Sequence, residues 1–292
     1  MRVCLMIEGQ EGVTWDQWRA LAATAEEAGF EALFRSDHYA PLGGAAGGGS
    51  LDAWSTINAL AALTSTIRLG TLVSPATFRH PSTLAREVAT ADHVSGGRVE
   101  LGLGAGWHEG EHRAHGFPFE TMRERFARFE EQLEIIRRSW ADEPFDFAGT
   151  YYRLEGANPL PKPVQKPHPP VIVGGKAGPR SVAAAKRWAT EYNSLFESVE
   201  RARGLAGTVA PLPLSIMATF VMGPTEAAAR DRAARLGADG IPEDWIAGTP
   251  DQVVARLREL EAAGVQRVML QHLLHDDLEA VELAGREVLP AV

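Results

Sequence analysis

The residues best suited to acid–base chemistry are an aspartate and a histidine that stand side by side. Asp37 and His38 come with Ser36 directly after the short apolar run 31–35, which predicts a β-strand. A loop after a strand can place a carboxylate and an imidazole beside a ligand, and the imidazole changes its charge near neutral pH. A turn in which Asp37 caps a neighbouring amide explains the same triplet equally well.

A second candidate is the glycine-rich turn at 174–181, which joins a predicted strand to a predicted helix. Pro179 suits the first helical position, so the amide N–H groups before it face outward at the positive end of the helix dipole. A glycine turn made only for packing is the alternative. The pattern favours a phosphate-binding turn formed by Gly175, Lys176, Ala177, Gly178, Arg180 and Ser181.

Two further segments match familiar motifs but fail on their context. The run 102–107 resembles a dinucleotide-binding fingerprint, yet Trp107 replaces the last glycine and the run follows the fourth strand rather than the first. We expect its small residues to let a flat ligand lie close to the backbone, with Trp107 as a wall. His108–His112 matches the zinc-protease HExxH pattern, but it follows a glycine-rich turn and Gly110 disfavours a helix. No metal site is predicted.

These residues need a scaffold, and the chain alternates short β-branched runs with alanine-rich amphipathic runs. Eight strands are predicted, at residues 2–7, 31–35, 67–73, 99–103, 171–173, 192–195, 214–221 and 265–270. Eight strands separated by helices, without an internal shift in composition, favour a closed (β/α)8 TIM barrel over a doubly wound sheet. The chemistry of such a barrel lies at the C-terminal ends of its strands, where the segments above stand.

The predicted helices cover residues 14–29, 51–64, 81–94, 121–140, 179–188, 225–236, 249–264 and 278–288. Capping boxes support three of their starts, for example Thr14 with Gln17. After the fourth helix, seven prolines and paired aromatic residues in 143–170 predict an inserted hairpin followed by an extended arm. Residues 197–210 show only a weak pattern. The glycine-rich segment 43–49 is either a mobile lid over the site or a loop without a role.

Composition narrows the class of protein. The 292 residues, 45% of them hydrophobic, fit a single domain spanning 1–292. The net charge of −9, without a basic stripe, argues against nucleic-acid binding. Cys4 is the one cysteine and lies in an apolar run, which is typical of a buried thiol in a reducing compartment. That run ends at Glu8, too short for a signal peptide. We therefore expect a cytoplasmic protein that binds neither membrane nor nucleic acid.

Several blocks of the chain, taken in order, resemble the luciferase-like (LLM class) oxidoreductases that use coenzyme F420, a deazaflavin. The blocks are AEEAGFEALFRSDHY, IRLGTLVSPATFRHP, LAREVATADHVSGGRVELGLGAGWHEGEHRAHGFPF, PKPVQKPHPPVIVGGKAGPRSVAAAKRWA and GTPDQVVARLRELEAAGVQRVMLQ. Together they cover most of the chain. The resemblance implies a bacterial-luciferase-like TIM barrel, a redox reaction and a small-molecule substrate.

The resemblance also implies roles for individual residues. Asp37 and His38 would lie near the deazaflavin ring. A bulge in the third strand, often with a cis non-proline peptide and here expected near Thr71-Leu72, would back that ring. The expected cofactor contacts are Thr71, Leu72, Ser74, Trp107, His108 and the phosphate turn 175–181. The family often has Asn at the position of His108. Its Ala-Asp-Gly-Trp-Asn segment is replaced here by residues 189–193, in which only Asn193 and the aromatic character survive.

We predict hydride transfer between C5 of F420 and a small organic substrate, with His38 as the proton donor or acceptor and Asp37 orienting it. The first alternative is a monooxygenase that uses oxygen and reduced FMN. The second, of another class, is a deazaflavin-binding protein without turnover. The resemblance further implies a homodimer, and a separate flavin or F420 reductase would supply reduced cofactor.

Overall fold

Parallel strands close into a barrel in the computed structural model, which describes residues 1–42 and 48–292. The strands are β1 (Arg2–Ile7), β2 (Ala32–Arg35), β3 (Arg68–Thr71), β4 (Ser74–Pro75), β5 (Val99–Gly104), β6 (Phe145–Ala148), β7 (Arg153–Ala157), β8 (Val171–Gly174), β9 (Glu191–Leu195), β10 (Leu214–Met222), β11 (Ile246–Gly248) and β12 (Val265–Gln271). The barrel order is β1-β2-β3-β5-β8-β9-β10-β12, and β12 pairs with β1 to close it. This closure confirms the (β/α)8 prediction and excludes the open, doubly wound sheet.

Helices separate the barrel strands, and most begin where their capping signals predict. They are α1 (Trp15–Glu27), α2 (Ala53–Leu63), α3 (Pro81–Ser95), α4 (Glu109–His115), α5 (Met122–Trp140), α6 (Pro179–Trp188), α7 (Val199–Val209), α8 (Glu226–Arg235), α9 (Pro250–Ala262) and α10 (Leu278–Leu283). The last continues as a π-helical turn over 284–288. Helices α4 and α7 were not predicted. None of the described helices is long and apolar enough to cross a membrane.

The inserted segment has the predicted form. Strands β6 and β7 make an antiparallel hairpin after α5, and an extended arm then runs to β8. The arm is fastened to α3, because the backbone N–H and the side-chain amide of Gln165 donate to Asp92 at 2.9 and 2.7 Å. The predicted glycine-rich lid falls largely on residues 43–47, which lie outside the described residues.

The barrel interior is layered from its N-terminal to its C-terminal end. The N-terminal end holds a buried ion cluster, in which Arg267 donates to both oxygens of Glu100 at 2.7 and 3.0 Å and lies 3.4 Å from Glu191. Cys4 is fully buried, as predicted, and its sulfur accepts from Arg267 at 3.1 Å. Above these charges lies an apolar layer formed by Met6, Ala32, Phe34, Leu72, Ile172, Met217 and Met269. This apolar layer therefore forms the floor of the open mouth at the C-terminal end of the barrel.

Candidate active site

The loop after β2 brings His38 to the mouth of the barrel, where a carboxylate from α4 holds it. His38 Nδ1 lies 2.8 Å from Oε2 of Glu111, whose side chain is fully buried. The other oxygen of Glu111 accepts from the backbone N–H groups of Tyr39 and Ala40. Glu111 reaches this loop because His108 caps α4 and so places Glu111 in its first turn. The carboxylate therefore fixes both the ring and the backbone that follows it.

The charges of this pair reinforce each other. Burial alone would lower the pKa of His38, but the hydrogen bond and charge of Glu111, with the charges of Glu8 and Asp37, raise it overall. Burial alone would raise the pKa of Glu111, yet its bonds to His38 and to two backbone N–H groups lower it. The ionised carboxylate accordingly accepts Nδ1–H of His38. Nε2 is then the nitrogen at which the ring can gain or lose a proton.

The hydrogen bonds of Asp37 differ from those expected of a residue that orients His38, because they go to other partners. Its Oδ2 accepts from Ser74 Oγ at 2.6 Å and from the guanidinium of Arg79. Arg79 also pairs with Asp52, at the start of α2. Asp37 thus ties the loop after β2 to the next βα unit. Glu111, 73 residues along the chain, carries out the orienting role that the adjacent acid was expected to fill.

Two expected cofactor contacts lie behind the rim of the mouth. Thr71 and Ser74 are fully buried, and their hydroxyl groups serve the protein. Thr71 donates to the carbonyl of Gly102 at 3.0 Å, while Ser74 donates to Asp37 and accepts from Trp54 Nε1 at 3.1 Å. Both hydroxyl protons are therefore used in bonds within the protein, and neither hydroxyl is exposed at the mouth. The cis peptide joins Leu72 to Val73, one residue beyond the position expected for it.

The small residues of β5 and β8 make room for Val73 rather than for a ligand. A Cβ added at Gly104 or Gly174 would lie 2.8 or 3.0 Å from a methyl group of Val73, and one at Gly102 would meet a carbonyl at 2.1 Å. The run 102–107 was expected to lie against a flat ligand, and at Gly102 and Gly104 protein atoms already stand close to where a Cβ would be. Val73 fills that space, and with Leu72 it presents an apolar surface at the mouth.

Aromatic and imidazole rings gather beside His38, as predicted. The centroid of the Trp107 ring lies 5.9 Å from that of His38 and 5.1 Å from that of His108. The side chain of Trp107 is 60% exposed, which is unusual for so large an apolar group. His108 Nδ1 accepts from the N–H of Glu111 at 3.3 Å. Trp107 thus forms an open wall next to the His38–Glu111 pair.

The HExxH match is helical, contrary to expectation, but its histidines bind protein atoms. Nδ1–H of His112 donates to the carbonyl of His108 at 2.8 Å, and Nε2 lies 2.6 Å from the Thr77 hydroxyl. Burial lowers the pKa of His112, which favours the neutral ring that this bonding requires. Glu109 is exposed and pairs with Arg113. Within 1–42 and 48–292, no three His, Cys, Asp or Glu side chains are grouped to hold a metal ion.

The predicted phosphate turn leads into the N-terminus of α6. Gly178 caps this helix without a side-chain hydrogen bond, so backbone N–H groups of its first turn face outward. Tyr192 braces the turn from below, since its hydroxyl accepts from Ala177 N–H at 2.8 Å and lies 2.9 Å from Ser181 Oγ. Arg180 is bound to Glu130 on α5 at 2.7 and 2.8 Å, so its charge is neutralised. Lys176 is exposed.

A polar wall from β1, β10 and β12 completes the mouth. Glu8 is buried after β1 and accepts from the amides of Gln10 at 2.9 Å and Gln271 at 2.6 Å. Gln271 in turn accepts from Thr219 at 2.8 Å. In the sequence, only their positions at the ends of predicted strands indicated that these residues would line the mouth. Glu111 had a weaker signal still, because the motif around it suggested zinc and nothing in the sequence linked it to His38.

The loop after β2 is tied down at both ends. On the near side Glu111 holds the backbone at 39–40, and Leu42 N–H donates to Glu11 at 2.9 Å. On the far side the buried guanidinium of Arg35 donates to Ser50 Oγ and to the carbonyl of Leu51, both at 2.9 Å. The chain thus leaves and rejoins the barrel at fixed points.

Comparison with known proteins gives a consistent family. A family model described as luciferase-like monooxygenase matches residues 2–241. The FMNH(2)-dependent dimethylsulfone monooxygenase of Pseudomonas putida is 27% identical over 97% of this chain and 90% of its own. The F420-dependent glucose-6-phosphate dehydrogenase of Amycolatopsis mediterranei (strain U-32) is 29% identical over 92% of both chains. The crystal structure of monooxygenase RslO1 from Streptomyces bottropensis aligns with a TM-score of 0.84, 25% identity and 99% coverage of each chain.

Proposed function

We propose, from the premise that this chain belongs to the luciferase-like monooxygenase family, that it is an F420-dependent oxidoreductase acting on a small organic substrate. The observation that carries the proposal is the His38–Glu111 pair at the barrel mouth. Interconversion of an alcohol and a carbonyl moves a hydride at carbon and a proton at oxygen. A positioned imidazole with a raised pKa suits that proton transfer. The F420-dependent relative supports this choice of cofactor.

The residues at the barrel mouth fit a cofactor that has a flat deazaflavin ring and a phosphate group. The apolar surface of Leu72 and Val73 offers a support for a flat ring, and Trp107 offers a side wall. The uncapped N-terminus of α6, with Lys176 beside it, would hold the cofactor phosphate through backbone N–H groups. When bound, F420 would supply or accept the hydride at C5.

The protein's own part in the reaction is proton transfer at a fixed atom. Glu111 keeps Nδ1–H of His38 engaged, which leaves Nε2 directed to the reacting oxygen. For alcohol oxidation the neutral ring accepts the hydroxyl proton at Nε2, and for carbonyl reduction the charged ring returns it. The buried Glu8 carboxylate stabilises the charged ring from the β1 side. Glu111 is thus a positioning residue, and His38 is the catalytic one.

One observation favours a second candidate, a monooxygenase that uses reduced FMN and oxygen. The dimethylsulfone monooxygenase matches almost the whole chain at nearly the same identity as the F420-dependent relative. The phosphate turn and the apolar surface would also accept FMN. In that case a separate reductase would supply the reduced flavin. A binding protein without turnover would use the same surfaces but would not need the His38–Glu111 pair.

Titration separates these functions. We expect oxidised F420 to quench tryptophan fluorescence saturably at low-micromolar concentration, with weaker binding of FMN. Trp107→Phe should remove most of this quenching, because Trp107 lies beside the proposed ring position. Tighter binding of FMN, with oxygen consumed as product forms, would favour the monooxygenase instead. Tight F420 binding without hydride transfer to any acceptor would favour the binding protein.

The role of His38 needs a separate activity measurement. His38→Ala should retain its F420 affinity but lose about 10²- to 10⁴-fold in turnover, the range expected for a general acid–base catalyst. His93→Ala is the matched control, because His93 is an exposed histidine on α3 that bonds to the carbonyl of Lys162. Turnover by His38→Ala at the wild-type rate would exclude the proposed proton transfer.

A further inference from the structure

We propose that Leu195 and Phe196, at the end of β9, form a wall that binds an apolar part of the substrate. The protein would then act on a molecule that carries an alkyl or aryl group next to its reacting carbon–oxygen bond, and not on a phosphorylated sugar. This inference rests on the proposed function, because it puts the substrate between this wall and His38.

Leu195 faces the open mouth because of the alternation along β9. Asn193 points into the barrel, where its amide donates to Ser215 at 3.0 Å, so Leu195 two residues later points to the same side. Leu195 is in register with Met217, which belongs to the apolar layer inside the barrel. Yet Leu195 is 43% exposed, whereas Met217 is buried. The strand therefore ends with an apolar side chain above the floor that nothing in the described chain covers.

Phe196 is presented by an unusual backbone. Its φ of 51° lies in the left-handed region, which bulky residues rarely occupy, and its side chain is 40% exposed. Two hydrogen bonds hold the backbone on either side of it: Phe196 N–H donates to the carbonyl of Met217 at 2.8 Å, and the Ser194 hydroxyl donates to Glu197 at 2.7 Å. An outlier held in place with its aromatic ring in solvent is typical of a binding surface.

The wall stands opposite the acid–base pair. In the closed order of eight strands β9 is four positions from β2, so Leu195 and His38 face each other across the mouth. Val73 and Trp107 follow β3 and β5, two of the strands that lie between them. A substrate that presents its oxygen to His38 would therefore extend its substituent toward Leu195 and Phe196. Those side chains have no hydrogen-bonding group, so they attract a substrate through apolar and aromatic contact.

The charges near this wall disfavour a phosphate group. Arg201, on α7, pairs with the buried Glu197 carboxylate directly after Phe196. Arg180, on the neighbouring α6, pairs with Glu130. Carboxylates thus neutralise both cations. A substrate phosphate at this wall would have to compete with those carboxylates for the two arginines. An uncharged substituent requires no such partner.

A homologous series of 2-alkanones, from 2-butanone to 2-octanone, tests the wall on F420-loaded protein. We expect the dissociation constant to fall about three- to fourfold per added methylene, as for burial of a CH₂ group. Glucose 6-phosphate should bind no more tightly than inorganic phosphate. In Phe196→Gly the gain should drop below about twofold per methylene, while F420 affinity stays unchanged. Glycine suits the left-handed φ, so this variant should fold.

Two further variants make the result specific. Leu195→Ser should flatten the series as Phe196→Gly does. Ile241→Ser is the control, because Ile241 is 39% exposed but lies between α8 and β11, in a different βα unit from β9. It should leave the series unchanged.

Three results would overturn the inference: a flat series in the wild type, tight binding of glucose 6-phosphate, or a loss of F420 affinity in Phe196→Gly, which would assign the wall to the cofactor. Failure of the proposed function looks different, since the wild type would then not bind F420. The alkanone series, measured on the same protein without F420, would still show whether the wall binds alkyl groups.

Discussion

The two ends of the barrel both bury charged side chains, but they satisfy them with different partners. At the N-terminal end Arg267 bonds to both oxygens of Glu100 and also contacts Glu191. At the C-terminal end Glu111 meets an imidazole, and Glu8 meets two side-chain amides. Arginine stays protonated under all ordinary conditions, whereas imidazole exchanges its proton near neutral pH. Arg267 at one end therefore keeps its charge, whereas His38 at the other end can exchange a proton.

The comparison teaches that a buried carboxylate is not in itself a sign of catalysis. Burial raises the pKa of Glu100, but the charges of Arg267 and Arg68 lower it overall, which keeps Glu100 ionised as part of the structure. Glu111 also has a lowered pKa, but its partner is His38, whose ring can gain or lose a proton. The type of partner, rather than the depth of burial, distinguishes the two ends.

Removing the arginine at the N-terminal end should have the largest effect on stability. Arg267→Met leaves Glu100 and Glu191 without their shared cation, and loss of one partner of a buried pair costs about 3–5 kcal/mol of unfolding free energy. Urea denaturation would measure it. Arg286→Met is the control, because Arg286 is exposed and lies 3.9 Å from Glu282. It should change stability by less than about 0.5 kcal/mol. Equal midpoints for the two variants would contradict the assigned role of the cluster.

Neutralising the Glu111 carboxylate at the C-terminal end should change catalysis more than stability. A hydrogen bond between charged groups contributes about 1.5–3 kcal/mol, so Glu111→Gln should lose about 10- to 100-fold in turnover. In the wild type, alcohol oxidation should fall as the pH drops through the raised pKa of His38, since the ring must be neutral to accept a proton. Without the Glu111 charge that fall should move to lower pH.

Rates measured across pH would test this, with Glu109→Gln as the control. Glu109 is exposed on the same helix and pairs with Arg113, so its profile should match the wild type. A Glu111→Gln profile that coincides with the wild-type profile would show that His38 does not depend on this carboxylate.

Changing Asp37 should have the smallest effect and sharpens the contrast within the site. Asp37→Asn weakens the bond to Arg79, which keeps Asp52 as a partner, so we expect a loss of about 1–2 kcal/mol in unfolding free energy. The pH profile should move less than in Glu111→Gln, because Asp37 makes no hydrogen bond to His38. A larger shift in Asp37→Asn than in Glu111→Gln would restore the adjacent acid as the orienting group.

The barrel could be predicted because its signals are local and repeated. Strand bounds at 2–7, 99–104 and 214–222 differ from the prediction by at most one residue. Helix α7 was missed because it buries only Ala202, Leu205 and Val209, which are too few and too widely spaced to give a clear pattern. Helix α4 was missed because it has seven residues and includes Gly110, and what stabilises it is its packing on the loop after β2.

The candidate site was predictable only in part, because its decisive contacts join distant residues. His38, Trp107 and His108 come together as expected, since each follows a barrel strand. The partner of His38 could not be read from the chain, because Glu111 looks like one of several acids in a charged helix. Val73 was missed for a related reason. The glycines that accommodate it look like a ligand cradle until the neighbouring strand is in place.

The anchoring of the loop after β2 has a consequence for how such a protein can diversify. Glu111 and Glu11 accept hydrogen bonds from the backbone up to Leu42, and Arg35 donates a hydrogen bond to Ser50 on the far side of the loop. Segments of different length and composition can therefore be exchanged between these anchors without displacing His38. A library of chimaeras grafted between residues 42 and 50 should therefore inherit the contact between His38 and Glu111 unchanged.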